Sequence, residues 1–154
     1  MQMLTLFIKN QLSFFWLPSA WICGVRVDSE ESNKCSVRVK LGFFNKNPFK
    51  SLFWAVQGMA AEMPGGLLLQ NKIKSSGQNI AMLLVGSSSK FTKKAVGKIL
   101  FTFEQGDLLD ELVNQAVKTK EAQTITIKTN GVDEKGDVVS EFSFNWSIKL
   151  RSKK

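Results

Sequence analysis

The chain has 154 residues, of which 44% are hydrophobic, and this predicts one soluble globular domain with a hydrophobic core. It contains no histidine and no tyrosine, which excludes Ser-His-Asp and Cys-His relays and histidine-ligated zinc, so any hydrolase must work through Asp or Glu. The net charge of +8 is scattered along the chain, which predicts an anionic ligand such as one with phosphates, and no nucleic acid.

The amino end, residues 1–17, is predicted to form an amphipathic helix that ends before Pro18. The apolar side chains spaced for its buried face are Leu4, Phe7, Ile8, Leu12 and Phe15. Lys9 and Asn10 interrupt the apolar run, and no positive charge precedes it. We therefore expect neither a membrane span nor a signal peptide.

Two alternating runs follow, at residues 21–28 and 34–41, with a polar turn between them, so they predict an antiparallel hairpin. Cys23 and Cys35 lie in these runs, and neither belongs to a CxxC or metal-ligand pattern. Two cysteines are too few for a disulfide framework. They predict buried small residues in a reducing, cytoplasmic protein without a metal site.

The central stretch, residues 47–64, is predicted to be one long helix. Asn47 suits the cap position and Pro48 the first helical position, while Pro64 and the two glycines after it suit the end. Glu62 is the only carboxylate of this apolar segment. A half-buried acid is costly unless it is paired or used in chemistry, which makes Glu62 the first candidate functional residue.

Beyond the central helix, the period returns to two at residues 79–91, 96–105, 123–132 and 137–150, and a second helix begins at Gly106. Short local connections between these runs predict an antiparallel sheet in which consecutive strands are neighbours. The predicted class is α+β, with the central helix packed on one face of the sheet.

The segment around the central helix resembles the hotdog fold, in particular its acyl-CoA thioesterase superfamily. Phenylacetate-type members carry an asparagine, a His-Gly-Gly six residues later, and an acid fifteen residues after the asparagine. Asn47 and Glu62 match the first and last positions at that spacing. The middle position differs, because Phe53-Trp54-Ala55 stands where the family has His-Gly-Gly. Segments 91–98 and 132–146 look closest to a thioesterase-like branch of unknown function.

This resemblance implies a single hotdog domain over residues 1–154, in which an antiparallel sheet wraps the central helix. It implies acyl-CoA thioester hydrolysis in a homodimer, and it leaves open whether two dimers pair further into a tetramer. Glu62 would act as nucleophile or general base, with Asn47 orienting the carbonyl or the water. Backbone N–H groups near Trp54 and Ala55 would stabilise the oxyanion across the dimer interface.

The resemblance requires no cofactor apart from coenzyme A as part of the substrate. Its phosphates are expected to meet Lys90, Lys93 and Lys94 at the mouth of the cleft.

The alternative function is a non-catalytic hotdog module that binds an acyl or other apolar ligand, which the loss of His-Gly-Gly favours. Simpler interpretations of the residues also remain open. Glu62 is equally compatible with a structural ion pair, and Asn47 with a helix cap alone. Trp54 is equally compatible with a core or interface position.

Overall fold

The computed structural model describes residues 2–151, and for residues 2 and 3 only the backbone. The chain forms four α-helices, one short 3-10 helix (Phe43–Asn45) and six strands within that range. The helices are α1 (Gln2–Trp16), α2 (Pro18–Ile22), α3 (Trp54–Ser75) and α4 (Gly106–Thr119). The strands are β1 (Arg26–Glu30), β2 (Cys35–Lys40), β3 (Ile80–Phe91), β4 (Lys98–Phe103), β5 (Gln123–Val132) and β6 (Val138–Leu150).

The strands form one antiparallel sheet in the order β1-β2-β4-β5-β6-β3. The predicted antiparallel sheet and the β1–β2 hairpin are therefore confirmed. The expectation that consecutive strands are neighbours is wrong for β3 and β4, because β3 pairs with β6 along nearly its whole length. These two strands have matched lengths of 12 and 13 residues, and their pairing places β3 at the edge of the sheet.

The long helix α3 packs against β2, β4, β5 and β6. Its inward face is made of small and aliphatic side chains, and Ala60, Ala61, Leu68 and Leu69 are almost fully buried. A buried hydroxyl on β5 also bonds the helix, because Thr129 Oγ1 donates to the Ala61 carbonyl at 2.9 Å. A sheet packed around a long helix is the arrangement that the resemblance implies, and the predicted hotdog fold is confirmed.

The predicted bounds of the central helix, 47–64, are wrong at both ends, because α3 spans Trp54–Ser75. Residues 47–52 form a closed loop that satisfies the polar groups of Asn47. At the other end the helix continues through Pro64, which removes a single backbone hydrogen bond. Its last turn carries Lys72 and Lys74, and Gly77 follows with φ +66°.

At Gly65 α3 lies against the sheet with no room for a side chain. A Cβ atom built on Gly65 would lie 2.6 Å from Ile127 Cγ2 on β5, which is closer than real Cβ atoms come. The glycine that suggested a helix end is thus the residue that lets the helix approach the sheet. Close packing against the sheet here outweighs the low helix propensity of glycine.

The first helix lies where it is predicted, as far as the described residues extend, but its faces are reversed. The residues predicted to be buried are exposed, Leu4 by 64% and Phe15 by 76%, and Phe7, Ile8 and Leu12 are exposed as well. The half-buried side of the helix carries Lys9, Asn10 and Ser13, together with Leu6, which packs against the core. Asn10 accepts from the Val27 amide at 2.8 Å and donates to the Val27 carbonyl at 2.9 Å, and Lys9 pairs with Glu30.

The predicted strand at residues 21–28 begins later than expected, because Trp21 belongs to the short helix α2. Pro18 stands at the start of α2, where a proline needs no amide hydrogen. The Arg26 guanidinium donates to the Trp21 carbonyl at 2.7 Å and lies over the indole ring. These contacts hold α2 beside the start of β1.

Candidate functional site

Glu62 lies at the middle of α3 and lines a cavity of about 310 Å³. The cavity is formed by α3, by the junction of α1 and α2, and by the inner faces of β3 and β6. Its other lining side chains are largely apolar and include Leu17, Met59, Met63, Met82 and Trp146. Cavities of this kind, apolar with few polar groups, are the usual form of small-molecule sites.

The Glu62 carboxyl group is half-buried, and it forms no hydrogen bond or ion pair with the other described residues. Burial raises the pKa of Glu62 above its ordinary value, because loss of water disfavours the charged form. A carboxyl group with a raised pKa is a stronger base once it is ionised, so it can take a proton from water or another acid. The ion pair considered from the sequence would be with a lysine across the dimer interface, and it stays a prediction.

Trp146 on β6 lines this cavity and carries a buried hydrogen-bond donor. Its indole is buried, and Nε1 has no hydrogen-bond partner among residues 2–151. The Cζ2 atom, on the nitrogen side of the ring, would lie 3.5 Å from a Cβ at Gly66, another residue of the cavity wall. A buried donor without a partner costs free energy, roughly 1–3 kcal/mol, unless a ligand accepts its proton.

Sequence reasoning did not single out Trp146 as a residue of the cavity wall. The available signal was the alternation of β6, which turns Phe142, Phe144, Trp146 and Ile148 to the buried face. That alternation predicts burial. It does not show which buried donors lack an acceptor, because the acceptors come from distant parts of the chain.

Asn47 is not the cap of α3. Its Oδ1 accepts from the amides of Phe49 and Ser51 at 3.0 and 3.2 Å, and its Nδ2 donates to Ser51 Oγ at 3.1 Å. Phe53 occupies the cap position, without a side-chain bond to the helix. Asn47 thus uses its amide to close the loop before α3.

Trp54 and Ala55 form the first turn of α3, where backbone N–H groups have no acceptor inside the helix. Trp54 is 59% exposed, and neither residue lines the Glu62 cavity. Eight residues separate Trp54 from Glu62, or about 12 Å along a helix axis. Within one chain the structure therefore does not bring the predicted oxyanion donors to the predicted base.

The three predicted phosphate-binding lysines also lie away from Glu62. Lys90 stands eight residues beyond Met82 on β3, roughly 26 Å along the strand. Lys93 pairs with Asp133 and Asp137 at 2.8 and 2.6 Å, and these carboxylates raise its pKa. Lys94 donates to the Phe49 carbonyl at 3.4 Å. None of the three meets the Glu62 cavity of its own chain.

No cluster of three or more histidine, cysteine, aspartate or glutamate residues in residues 2–151 is arranged to hold a metal ion. None of the described helices is both long enough and apolar enough to cross a membrane.

Comparison with known proteins identifies a family and a fold. The family model described as "Domain of unknown function (DUF4442)" matches residues 8–148, which is most of the chain. No curated protein matches the sequence.

Several solved structures share the fold over nearly their whole length. A protein of unknown function from Pseudomonas aeruginosa, described as a probable thioesterase, is 19% identical, with a TM-score of 0.81 over 94% of this chain and 95% of that one. A protein of unknown function from Chlorobaculum tepidum is 13% identical, with a TM-score of 0.78 over 92% of each chain. A thioesterase from Haemophilus influenzae is 12% identical, with a TM-score of 0.66 over 94% and 90%. The predicted resemblance to thioesterase-like hotdog proteins is confirmed as a likeness of fold.

Proposed function

Because the chain belongs to the family described as a domain of unknown function (DUF4442) and shares its fold with thioesterases, we propose that it hydrolyses an acyl thioester at Glu62. The substrate is an acyl-CoA or a similar small thioester. The observation that carries the proposal is the position of Glu62, an unpaired carboxyl group with a raised pKa in an apolar cavity.

The reaction uses Glu62 as a general base. The ionised carboxylate takes a proton from water while the water oxygen bonds to the thioester carbon, which gives a tetrahedral intermediate with a negative oxygen. The carbon–sulfur bond then breaks, and Glu62 returns its proton to the leaving thiolate. Direct attack by the carboxylate is the second route, with an acyl-glutamate anhydride that water then hydrolyses.

Two sets of donors are available for the negative oxygen. Trp146 lines the same cavity, and its buried Nε1 lacks an acceptor in the described chain. The amides of Trp54 and Ala55 would come from a second copy, as the resemblance implies, since they lie too far from Glu62 in one chain. We therefore place the active site in a homodimer, with Asn47 holding the loop that leads to these amides.

The exposed edge of the sheet supports such a dimer. β3 is the edge strand next to β6, it is 12 residues long, and its Leu83 and Val85 are exposed. A long edge strand with apolar side chains is a surface that proteins cover by pairing. In that assembly Lys90, Lys93 and Lys94 of one copy would serve the coenzyme A phosphates bound at the site of the other.

The test is release of free thiol from a panel of acyl-CoAs. The wild-type protein should hydrolyse at least one acyl-CoA faster than buffer alone, and the Glu62→Gln variant should lose that activity. Wild-type protein without activity on the whole panel would refute the proposal.

The alternative is a non-catalytic module that binds an acyl or other apolar ligand in the same cavity. Phe53-Trp54-Ala55 in place of His-Gly-Gly favours it, because the family's glycine amide is replaced by that of a bulky residue. Binding of acyl-CoA to the wild type, with no turnover, would support this alternative.

A further inference from the structure

We propose that the groove between α1 and α3 holds the aliphatic chain of a long acyl group whose thioester lies at Glu62. This inference rests on the proposed function for the identity of the ligand. The groove has a volume of about 660 Å³, about twice that of the Glu62 cavity. Its apolar walls come mainly from α1, β1 and α3, and include Ile8, Leu12, Trp16, Val27 and Leu67.

The groove adjoins the Glu62 cavity. Leu17, Met63, Leu67 and Gln70 line both spaces. On α3, the residues Met59, Glu62, Met63, Leu67 and Gln70 are spaced for one face of the helix. From Met59 to Gln70 that face extends about 16 Å, which is long enough to support an extended chain well beyond the carboxyl group. Unbranched methionine side chains at the junction can adjust to a ligand that passes between the two spaces.

The reversed orientation of α1 explains why the groove is apolar. The polar residues Lys9 and Asn10 fasten the helix to β1 through Glu30 and Val27. Ile8 and Leu12, beside these anchoring residues on α1, line the groove and remain about half exposed in the chain alone. Removing such apolar surface from water is favourable, and a bound alkyl chain would cover it.

The chemistry of the lining selects an alkyl chain over a charged group. Lys9 is the one basic residue among the described lining residues, and it is paired with Glu30. No free cation of the described lining can therefore receive a phosphate or a carboxylate. The remaining polar groups are small or neutral and include Ser13 and Gln70. The groove is thus suited to the apolar end of a substrate, and the coenzyme end must leave the site elsewhere.

A binding series with S-alkyl-coenzyme A thioethers tests the groove without catalysis, because a thioether cannot be hydrolysed. Affinity of the full-length protein, measured by titration calorimetry, should rise from butyl to hexadecyl. The expected gain is roughly fourfold per methylene while the chain fills apolar space. Equal affinity for all lengths, or no binding at any length, would overturn the inference.

Two matched variants locate the chain. Leu12→Trp adds bulk inside the groove, and Phe7→Trp makes the same kind of change on the exposed face of α1, outside the groove lining. Leu12→Trp should reduce the hexadecyl-to-butyl affinity ratio at least tenfold, whereas Phe7→Trp should keep the wild-type ratio. Equal ratios in the two variants would place the chain elsewhere.

If Leu12→Trp does not fold, Ile8→Trp serves the same purpose, since Ile8 also lines the groove. The outcome is separable from that of the proposed function. If affinity rises with alkyl length in a protein that hydrolyses no acyl-CoA, the proposed hydrolysis is wrong and the proposed acyl groove stands. If the protein hydrolyses acyl-CoA but its affinity does not depend on alkyl length, the proposed hydrolysis stands and the proposed acyl groove is wrong.

Discussion

Replacing Gly65 by alanine tests the packing that carries α3 past its predicted end. The added methyl carbon would stand 2.6 Å from Ile127 Cγ2 and 2.9 Å from Cδ1. Ile127 is 1% exposed and β-branched, so its side chain has little room to move. Gly58 offers a matched control on the same helix, because a methyl carbon there would lie 3.7 Å from Phe142 Cε1, an ordinary contact.

The two substitutions share one favourable contribution and differ in the other. Alanine in place of glycine inside a helix stabilises by about 0.5–1 kcal/mol. Overpacking a core costs about 1–3 kcal/mol. Gly65→Ala should therefore lower the free energy of unfolding by up to about 2.5 kcal/mol, and Gly58→Ala should raise it by about 0.5–1 kcal/mol.

Thermal and urea unfolding followed by circular dichroism measure both changes. For a chain of this size, 1 kcal/mol corresponds to a shift of about 2–4 °C in Tm, so the variants should move to opposite sides of the wild type. Stabilisation by Gly65→Ala equal to that by Gly58→Ala would refute the close contact between α3 and β5.

Three further predictions concern single side chains. Because the pKa of Glu62 is raised in the folded protein, the folded state binds this proton more tightly than the unfolded chain does. The ionised carboxylate therefore destabilises the fold above its folded-state pKa, and this cost is absent below the ordinary pKa of glutamate. Glu62→Gln should thus unfold at higher urea than the wild type at pH 7 and at equal urea below about pH 4; a constant difference would contradict this. Trp146→Phe should lower kcat/KM for an acyl-CoA at least about tenfold in a folded protein, and an unchanged value would remove Nε1 from the site. Burial raises the pKa of Cys35 to about 12, so a thiol reagent at pH 8 should label Cys23 well before Cys35, whereas equal labelling of the folded protein would contradict its burial.

Most of the strands were predictable because β2, β4, β5 and β6 bury alternate residues, which imposes a period of two. The predicted range 123–132 coincides with β5, and 79–91 differs from β3 by one residue. Pairing was less accessible, since no local signal marks β6 as the neighbour of β3. That choice depends on the matched lengths of two strands far apart in the sequence.

The helices show which local signals packing overrides. Asn47 and Gly65 are typical of helix ends, yet Asn47 closes a loop and Gly65 lies inside α3. For α1 the predicted helical period is correct, but the predicted inward direction of its apolar face is wrong. Periodicity shows that a helix has an apolar face, but Asn10 bonding to Val27 on β1 decides which face turns inward.

The candidate site was predictable in part. Glu62 could be selected because it is the one carboxylate on an apolar helix, and the structure places it in a cavity. The absence of an acceptor for Trp146 Nε1 could not be predicted, because it depends on every residue packed around β6. The groove beneath α1 could not be predicted either, because it depends on which face of α1 turns toward β1.

The most direct test of the account is kcat/KM for a long-chain acyl-CoA in the wild type, in Glu62→Gln and in Glu111→Gln. Glu111 is an exposed carboxylate on α4 that does not line the Glu62 cavity, so its substitution controls for the loss of a negative charge. Removing a general base typically costs about 10²–10⁴-fold, and we expect a loss of that size in Glu62→Gln with wild-type kinetics in Glu111→Gln. A Glu62→Gln variant as active as the wild type would contradict the central claim.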